Sequence, residues 1–218
     1  MPLSVMPSPR VNEYSWMSIS RWQEMHEEDV VIARQGDVDL LFLGDSITEE
    51  WPASTWDSHF ESYKAANFGV GGDRTENLRW RLLNGASGKL DPKVVVIMIG
   101  VNNFGHGDDP AEDVFLGVEA VIDDVKTLFG RAHIVLLGIL PFGEQANTPD
   151  RERVTATNAL IAELGQDPRV EYHDIGAAFL EADGSISPEV MADFLHPTEK
   201  GYDIFAEQLD PILLDILK

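Results

Sequence analysis

Residues 38–48 read VDLLFLGDSIT, a short apolar run that ends at Gly44 and passes directly into a polar turn. The length and composition of Val38–Leu43 are typical of a buried strand. The turn Gly44-Asp45-Ser46-Ile47-Thr48 would then place the Ser46 hydroxyl at the carboxyl end of that strand, close to the start of the next helix. A nucleophile could sit there, although a Gly-Asp-Ser tripeptide is also a common turn in which Ser or Asp caps a helix.

Other apolar segments alternate with helical patterns along the chain. Val94–Ile99 is uniformly apolar and rich in β-branched residues, as expected for a parallel strand that is covered on both faces. Further strands are predicted at 63–68, 134–140 and 170–172, and helices around Trp16–Val30, Leu78–Leu83, Val114–Phe129, 151–164 and 201–217, the last interrupted by Pro211. This alternation predicts an α/β fold, with a parallel sheet whose ligands bind beyond the carboxyl ends of its strands.

Length and composition limit the organisation of the chain. With 218 residues, 44% of them hydrophobic, and no linker or repeat, we expect one domain over 1–218 in which residues 1–36 form an N-terminal extension and helix. The absence of Cys excludes disulfides, thiolate metal sites and cysteine nucleophiles. No segment has the apolar length of a signal peptide or a membrane span, so we expect a cytoplasmic location.

The charge of the chain is strongly negative. Thirty-eight acidic residues against sixteen basic ones give a formal net charge of −22. Nucleic acid and anionic membranes are bound through clustered Lys and Arg, so neither is an expected partner. An acidic surface that aids solubility explains this charge, and adaptation to high salt is the alternative.

A serine nucleophile needs a base, usually histidine, and the base needs a group that fixes its tautomer and orientation. Six histidines are present, and composition does not choose among them. Spacing favours Asp193-Phe194-Leu195-His196-Pro197, where a carboxylate three residues before an imidazole can meet it within a single turn of chain. A surface hydrogen bond is the alternative interpretation of such a pair.

Acyl transfer also needs donors for the oxyanion of the tetrahedral intermediate. Gly72 can present a backbone N–H where a side chain would block approach, and Asn102 can offer its side-chain amide. Each would be an ordinary turn residue if taken alone. However, Ser46, Gly72 and Asn102 follow three successive predicted strands, which favours a common site.

These residues give the chain a resemblance to the SGNH/GDSL hydrolases, with Ser46, Gly72, Asn102 and His196 on the four positions that name the class. The resemblance runs from about Val38 to the C-terminus. The stretches 42–49 (FLGDSITE), 67–75 (NFGVGGDRT) and 100–103 (GVNN) look particularly like platelet-activating-factor acetylhydrolase catalytic subunits and their bacterial relatives. Val101 departs from the usual Thr, and Asn103 from the Asp of much of the class.

The resemblance implies a flavodoxin-like three-layer α/β/α sandwich, with a five-stranded parallel sheet of order 2-1-3-4-5. It implies a short-chain, acetyl-type serine esterase in which Ser46, His196 and Asp193 are catalytic. The oxyanion hole would combine the N–H of Ser46 with Gly72 and Asn102. No metal or organic cofactor is implied, stable membrane binding is not expected, and a homodimer is expected by analogy alone.

Several alternatives stay open at this point. Asp45 is the rival acid, although it is better placed to bond backbone N–H groups of its own turn. A classical α/β-hydrolase is disfavoured because no Gly-x-Ser-x-Gly surrounds Ser46. Two other candidates are a narrowly selective carbohydrate acetylesterase and a non-catalytic module of the same fold that binds a sugar or a nucleotide. Nucleotide binding is disfavoured, because the Gly69–Gly72 loop fits neither a Walker sequence nor a dinucleotide fingerprint.

Overall fold

The computed structural model describes residues 1–217, and they are built around one five-stranded parallel sheet of order β2-β1-β3-β4-β5. The strands are β1 (Leu40–Gly44), β2 (Ala65–Gly69), β3 (Val94–Met98), β4 (His133–Leu137) and β5 (Val170–His173). The predicted parallel α/β fold and its strand order are therefore confirmed. Every residue of β1 and β3 is buried, because these central strands are covered on both faces.

Eight α-helices connect and flank the strands within the described residues. They are α1 (Ile19–Gln35), α2 (Ser46–Glu49), α3 (Ala53–His59), α4 (Thr75–Arg81), α5 (Val101–Gly107), α6 (Ala111–Leu128), α7 (Pro149–Ala162) and α8 (Glu199–Ile216). Helix α6 packs against both α4 and α7, and α3 packs against α8. No helix within residues 1–217 combines the length and the apolar character that crossing a membrane requires.

Two predicted helix features are wrong. Trp16 was expected on the first helix, but α1 begins at Ile19 because the Ser18 side chain accepts a hydrogen bond from the Arg21 N–H and caps it there. Helix α8 is not interrupted at Pro211 but continues through it to Ile216. Pro211 is exposed, so water can reach the backbone carbonyl that loses its N–H partner there.

The register of the sheet aligns the ends of its first three strands. Gly44 at the end of β1 pairs with Gly69 of β2 on one side and with Met98 of β3 on the other. Gly69 lets α2 lie directly against β2, since a Cβ there would come within 2.2 Å of the Glu49 backbone nitrogen. The loops that follow β1, β2 and β3 therefore begin side by side at one edge of the sheet.

Candidate active site

Three of the five predicted site residues lie at this shared edge, each just after a strand. Ser46 is the first residue of α2, directly after β1, and Asn102 is the second residue of α5, directly after β3. Gly72 follows β2 in a turn with φ of +74°, a conformation that glycine adopts without strain. Asp193 and His196 come from the loop before α8, which brings His196 over the same edge.

Ser46, His196 and Asp193 form a continuous chain of hydrogen bonds. The Ser46 Oγ lies 2.9 Å from the His196 Nε2, and the His196 Nδ1 lies 2.6 Å from the Asp193 Oδ2. An ionised carboxylate only accepts hydrogen bonds, so Asp193 holds the proton of a neutral imidazole on Nδ1. Nε2 is then left as the acceptor for the Ser46 hydroxyl, as a general base requires.

The loop around Asp193 fixes this carboxylate with backbone donors. Its Oδ1 accepts hydrogen bonds from the N–H groups of Leu195 (3.0 Å) and His196 (2.8 Å). Partial burial opposes ionisation of Asp193, but the hydrogen bonds from the His196 ring and these N–H groups outweigh it and lower the pKa of Asp193. Phe194 adopts a φ of +60° inside the loop, which is unusual for a residue other than glycine.

Asp45, the rival acid, performs a different task. Its Oδ1 accepts a hydrogen bond from the Ile47 N–H at 3.1 Å and caps α2, as the sequence predicted. Burial raises the pKa of Asp45 to about 7, because ionisation is costly away from water. Asp45 forms no hydrogen bond to His196 within residues 1–217, whereas Asp193 contacts that ring directly.

The predicted oxyanion donors face the same space as Ser46. The Asp45 side chain accepts a hydrogen bond from the Ile47 N–H, and the Asp45 carbonyl accepts hydrogen bonds from the N–H groups of Thr48 and Glu49. The Ser46 N–H, at the start of the helix, has no intrahelical acceptor. Asn102 is buried and donates one hydrogen of its amide to the Asp73 carbonyl at 3.0 Å. That bond orients the amide and leaves its second N–H for a ligand.

These groups line a cavity of about 440 Å³. Several of the residues that line this cavity were not predicted as site residues: Trp16, Met17, Glu49, Glu50, His106 and Leu195. Trp16 stacks on Tyr14, with ring centroids 4.8 Å apart, and 55% of its surface is exposed. The N-terminal segment thus forms part of the site, and nothing in its spacing from Gly72 could have revealed this.

A second cavity of about 550 Å³ lies between α7 and β5. Its lining includes Arg151, Asn158 and Tyr172 but no serine or histidine, so it has no counterpart of the Ser46–His196 pair. Within residues 1–217, no group of three or more His, Asp or Glu side chains is arranged to hold a metal ion.

The fold and this constellation define a hydrolase of the GDSL class. The profile of the GDSL-like Lipase/Acylhydrolase family matches residues 42–204, a span that contains Ser46, Gly72, Asn102, Asp193 and His196. The chain belongs to this family.

Known relatives support this placement. The chain is 36% identical over 199 residues to the platelet-activating factor acetylhydrolase IB subunit alpha1 of Homo sapiens, which covers 90% of this chain and 84% of the relative. A GDSL-like lipase from Bacteroides thetaiotaomicron has the same fold, with a TM-score of 0.73, 19% identity and coverage of 88% and 97% of the two chains. An acetylxylan esterase from Geobacillus stearothermophilus also shares it, with a TM-score of 0.65, 19% identity and coverage of 83% and 94%.

Proposed function

We propose that this chain is a serine esterase that hydrolyses short-chain, acetyl-type carboxylic esters through Ser46, His196 and Asp193. The observation that carries the proposal is the pair of short contacts, 2.9 Å from Ser46 Oγ to His196 Nε2 and 2.6 Å from His196 Nδ1 to Asp193 Oδ2. Nucleophile, base and orienting acid are thus within hydrogen-bond reach before any substrate binds.

In the first step, His196 Nε2 takes the Ser46 proton as Ser46 Oγ attacks the ester carbonyl. The carbonyl oxygen becomes an oxyanion that accepts hydrogen bonds from the N–H groups of Ser46 and Gly72 and from the Asn102 side chain. When the intermediate collapses, the C–O bond to the alcohol breaks, and the imidazolium returns its proton to the leaving alkoxide. Asp193 stabilises the imidazolium without becoming protonated.

In the second step, water repeats the sequence on the acyl-enzyme. His196 takes a proton from the water as its oxygen attacks the acyl carbon, and the same donors hold the second oxyanion. Collapse breaks the bond to Ser46 Oγ, which recovers its proton from His196. A carboxylic acid leaves, and the free serine is restored.

The proposed substrate class rests on the walls of the cavity and on the relatives. Acetyl is the acyl group in the names of the acetylhydrolase relatives and of the acetylxylan esterase. Glu49 and Glu50 line the cavity, so an anionic alcohol group would meet like charge there. We therefore rank neutral alcohols above anionic lipids.

A carbohydrate acetylesterase is the second candidate, and Trp16 is the observation that favours it. A half-exposed indole beside carboxylates offers an apolar face together with hydrogen-bond acceptors. A sugar ring presents the complementary combination of an apolar C–H face and hydroxyl groups. A peracetylated monosaccharide is the substrate that tests this candidate.

The experiment that tests the proposal compares p-nitrophenyl esters from acetate to octanoate on the wild type and on Ser46→Ala. We expect turnover to fall with acyl length and to drop by about 10⁴-fold or more in Ser46→Ala, because no other nucleophile is poised in the site. Release of acetate from the peracetylated sugar is measured in parallel.

Ser54→Ala is the matched control, since Ser54 is an exposed serine on α3, outside the cavity. It should retain wild-type turnover. Equal activity of wild type and Ser46→Ala would refute the proposed nucleophile. Faster turnover of octanoate than of acetate would refute the short-chain preference and leave the serine mechanism in place.

A further inference from the structure

The peptide unit that joins Gly71 to Gly72 is held from a distant part of the chain. The Gly71 N–H donates to the Glu49 Oε2 at 2.6 Å, which fixes the residue on one side. The Gly71 carbonyl accepts a hydrogen bond of 2.6 Å from the Nη2 of Arg10, a residue 61 positions earlier in the sequence. This carbonyl and the Gly72 N–H belong to the same peptide plane.

In a trans peptide, the C=O and the N–H point in opposite directions. A guanidinium that holds the Gly71 oxygen on one side therefore aims the Gly72 hydrogen to the other. A charged donor on the carbonyl also polarises the amide, which strengthens its N–H as a hydrogen-bond donor. Gly72 lines the cavity beside Ser46, so both effects act on a predicted oxyanion donor.

We propose that Arg10 is a positioning residue for the oxyanion hole, which orients and polarises the Gly72 N–H without touching the substrate. This inference rests on the esterase function proposed above. It also assigns a catalytic task to the N-terminal segment, which lies outside the span 42–204 that the family profile matches.

A buried cluster around Asp73 links Arg10 to the second oxyanion donor. The Oδ1 of Asp73 accepts hydrogen bonds from Arg10 Nη2 (3.1 Å) and Trp22 Nε1 (2.6 Å), and its Oδ2 accepts one from Arg81 Nε (2.7 Å). The backbone carbonyl of Asp73 accepts the hydrogen bond that orients the Asn102 amide. The residue that anchors Arg10 thus also holds Asn102.

A purely stabilising role explains Arg10 less well. Its side chain is almost fully buried, and its Nη1 has no hydrogen-bond partner among residues 1–217. Buried ion pairs often add little stability, because desolvation offsets their attraction. Asp73 also pairs with the fully buried Arg81, which it shares with Asp29, and pairing with Asp73 does not account for the 2.6 Å hydrogen bond from Arg10 to the Gly71 carbonyl.

The test measures kcat and KM for p-nitrophenyl acetate in Arg10→Met and Arg10→Lys. We expect kcat to fall about ten- to a hundredfold in Arg10→Met, less than removal of an oxyanion donor outright, with KM within about twofold. Arg10→Lys should be intermediate, because an ammonium lacks the planar fork that spans the Gly71 oxygen and Asp73.

Arg79→Met is the matched control. Arg79 also ties the N-terminal segment to the body, through the Val5 carbonyl and Asp124, but it contacts neither Gly71 nor Asp73. It should lower the melting temperature and leave kcat unchanged. Equal loss of kcat in both variants would mean that Arg10 only anchors the segment, and the proposal would be wrong.

Two further readouts separate positioning from folding. Millimolar guanidinium should restore part of the kcat of Arg10→Ala, where equal NaCl should not. The amide ¹⁵N chemical shift of Gly72 should change in Arg10→Met and remain at its wild-type value in Arg79→Met. That resonance decides the positioning claim even if the wild type hydrolyses no ester, in which case the proposed function alone has failed. An unmoved resonance or an unchanged kcat in Arg10→Met would overturn the inference.

Discussion

Two aspartates near Ser46 respond in opposite ways to their surroundings. Asp193 sits in a half-exposed loop where the His196 ring and two backbone N–H groups favour its ionised form and lower its pKa. Asp45 is enclosed beneath α2, and burial raises its pKa to about 7. A carboxylate that supports an imidazolium must remain ionised throughout the reaction, and Asp193 meets that requirement.

Substituting each aspartate with asparagine tests this assignment. We expect Asp193→Asn to lower kcat by about a thousand- to ten-thousandfold, because an amide can donate to Nδ1 and so favour the wrong tautomer. Asp45→Asn should stay within about tenfold of wild type, because the asparagine oxygen can still accept the Ile47 N–H. Esterase assays with p-nitrophenyl acetate decide the matter, and the reverse order of effects would make Asp45 the acid.

At the scale of elements, the buried Asn103 side chain joins the segments that follow β2 and β3, as Asn102 also does through the Asp73 carbonyl. The Asn103 Oδ1 accepts the Thr75 N–H at the start of α4 (3.0 Å), while its Nδ2 donates to Asp109 (2.9 Å) and to Glu76 (3.3 Å). In the SGNH/GDSL class that the chain resembles, this position is often Asp. Here the side chain instead donates hydrogen bonds to two carboxylates, which an ionised Asp could not do. Asn103 is therefore suited to this chain's own acidic surroundings.

Asn103→Asp should destabilise the fold by roughly 2–3 kcal/mol, because it removes these donors and adds a third carboxylate to a buried cluster. Urea unfolding at neutral pH measures the change. The exposed Asn147→Asp serves as control and should alter stability by less than about 0.5 kcal/mol. An unchanged unfolding midpoint in Asn103→Asp would show that this cluster tolerates the extra charge.

The elements differ in how far their sequences could predict them. Strands β1 and β3 were predictable because uninterrupted apolar runs are typical of strands buried on both faces. The strand order came from the resemblance, since hydrophobic patterns do not say which strands are neighbours. Pro211 was misread because a local pattern does not reveal that this position faces water, where α8 tolerates the lost hydrogen bond.

The candidate site shows the same division. Ser46 and the Asp193/His196 pair could be found by chemistry and spacing, and Gly72 and Asn102 by their positions after strands. Arg10 and Trp16 could not be found this way, because only tertiary packing brings them against Gly71 and Gly72. Their contact spans more than fifty residues of sequence, and no local rule connects the two segments.

At the scale of the whole molecule, the acidic residues determine how stability depends on pH, in addition to setting the net charge. Burial raises the pKa of both Asp29 and Asp45 to about 7. Unfolded aspartate titrates near pH 4, so between about pH 4 and pH 7 the folded chain retains protons that the unfolded chain has released. Stability therefore falls as pH rises through this interval. The formal net charge of −22 adds self-repulsion in the same direction.

We therefore expect a higher melting temperature at pH 5.5 than at pH 8, and a smaller difference in Asp45→Asn, which has no proton to lose. One group contributes at most about 1.4 kcal/mol per pH unit to the free energy of unfolding. Asp193 acts in the opposite sense, since its lowered pKa stabilises the fold above about pH 4 and that contribution is lost in stronger acid. Thermal unfolding across this range, with the exposed Asp57→Asn as control, isolates the buried carboxyl. If both variants retained the full wild-type difference, Asp45 would be ionised in the folded chain at both pH values.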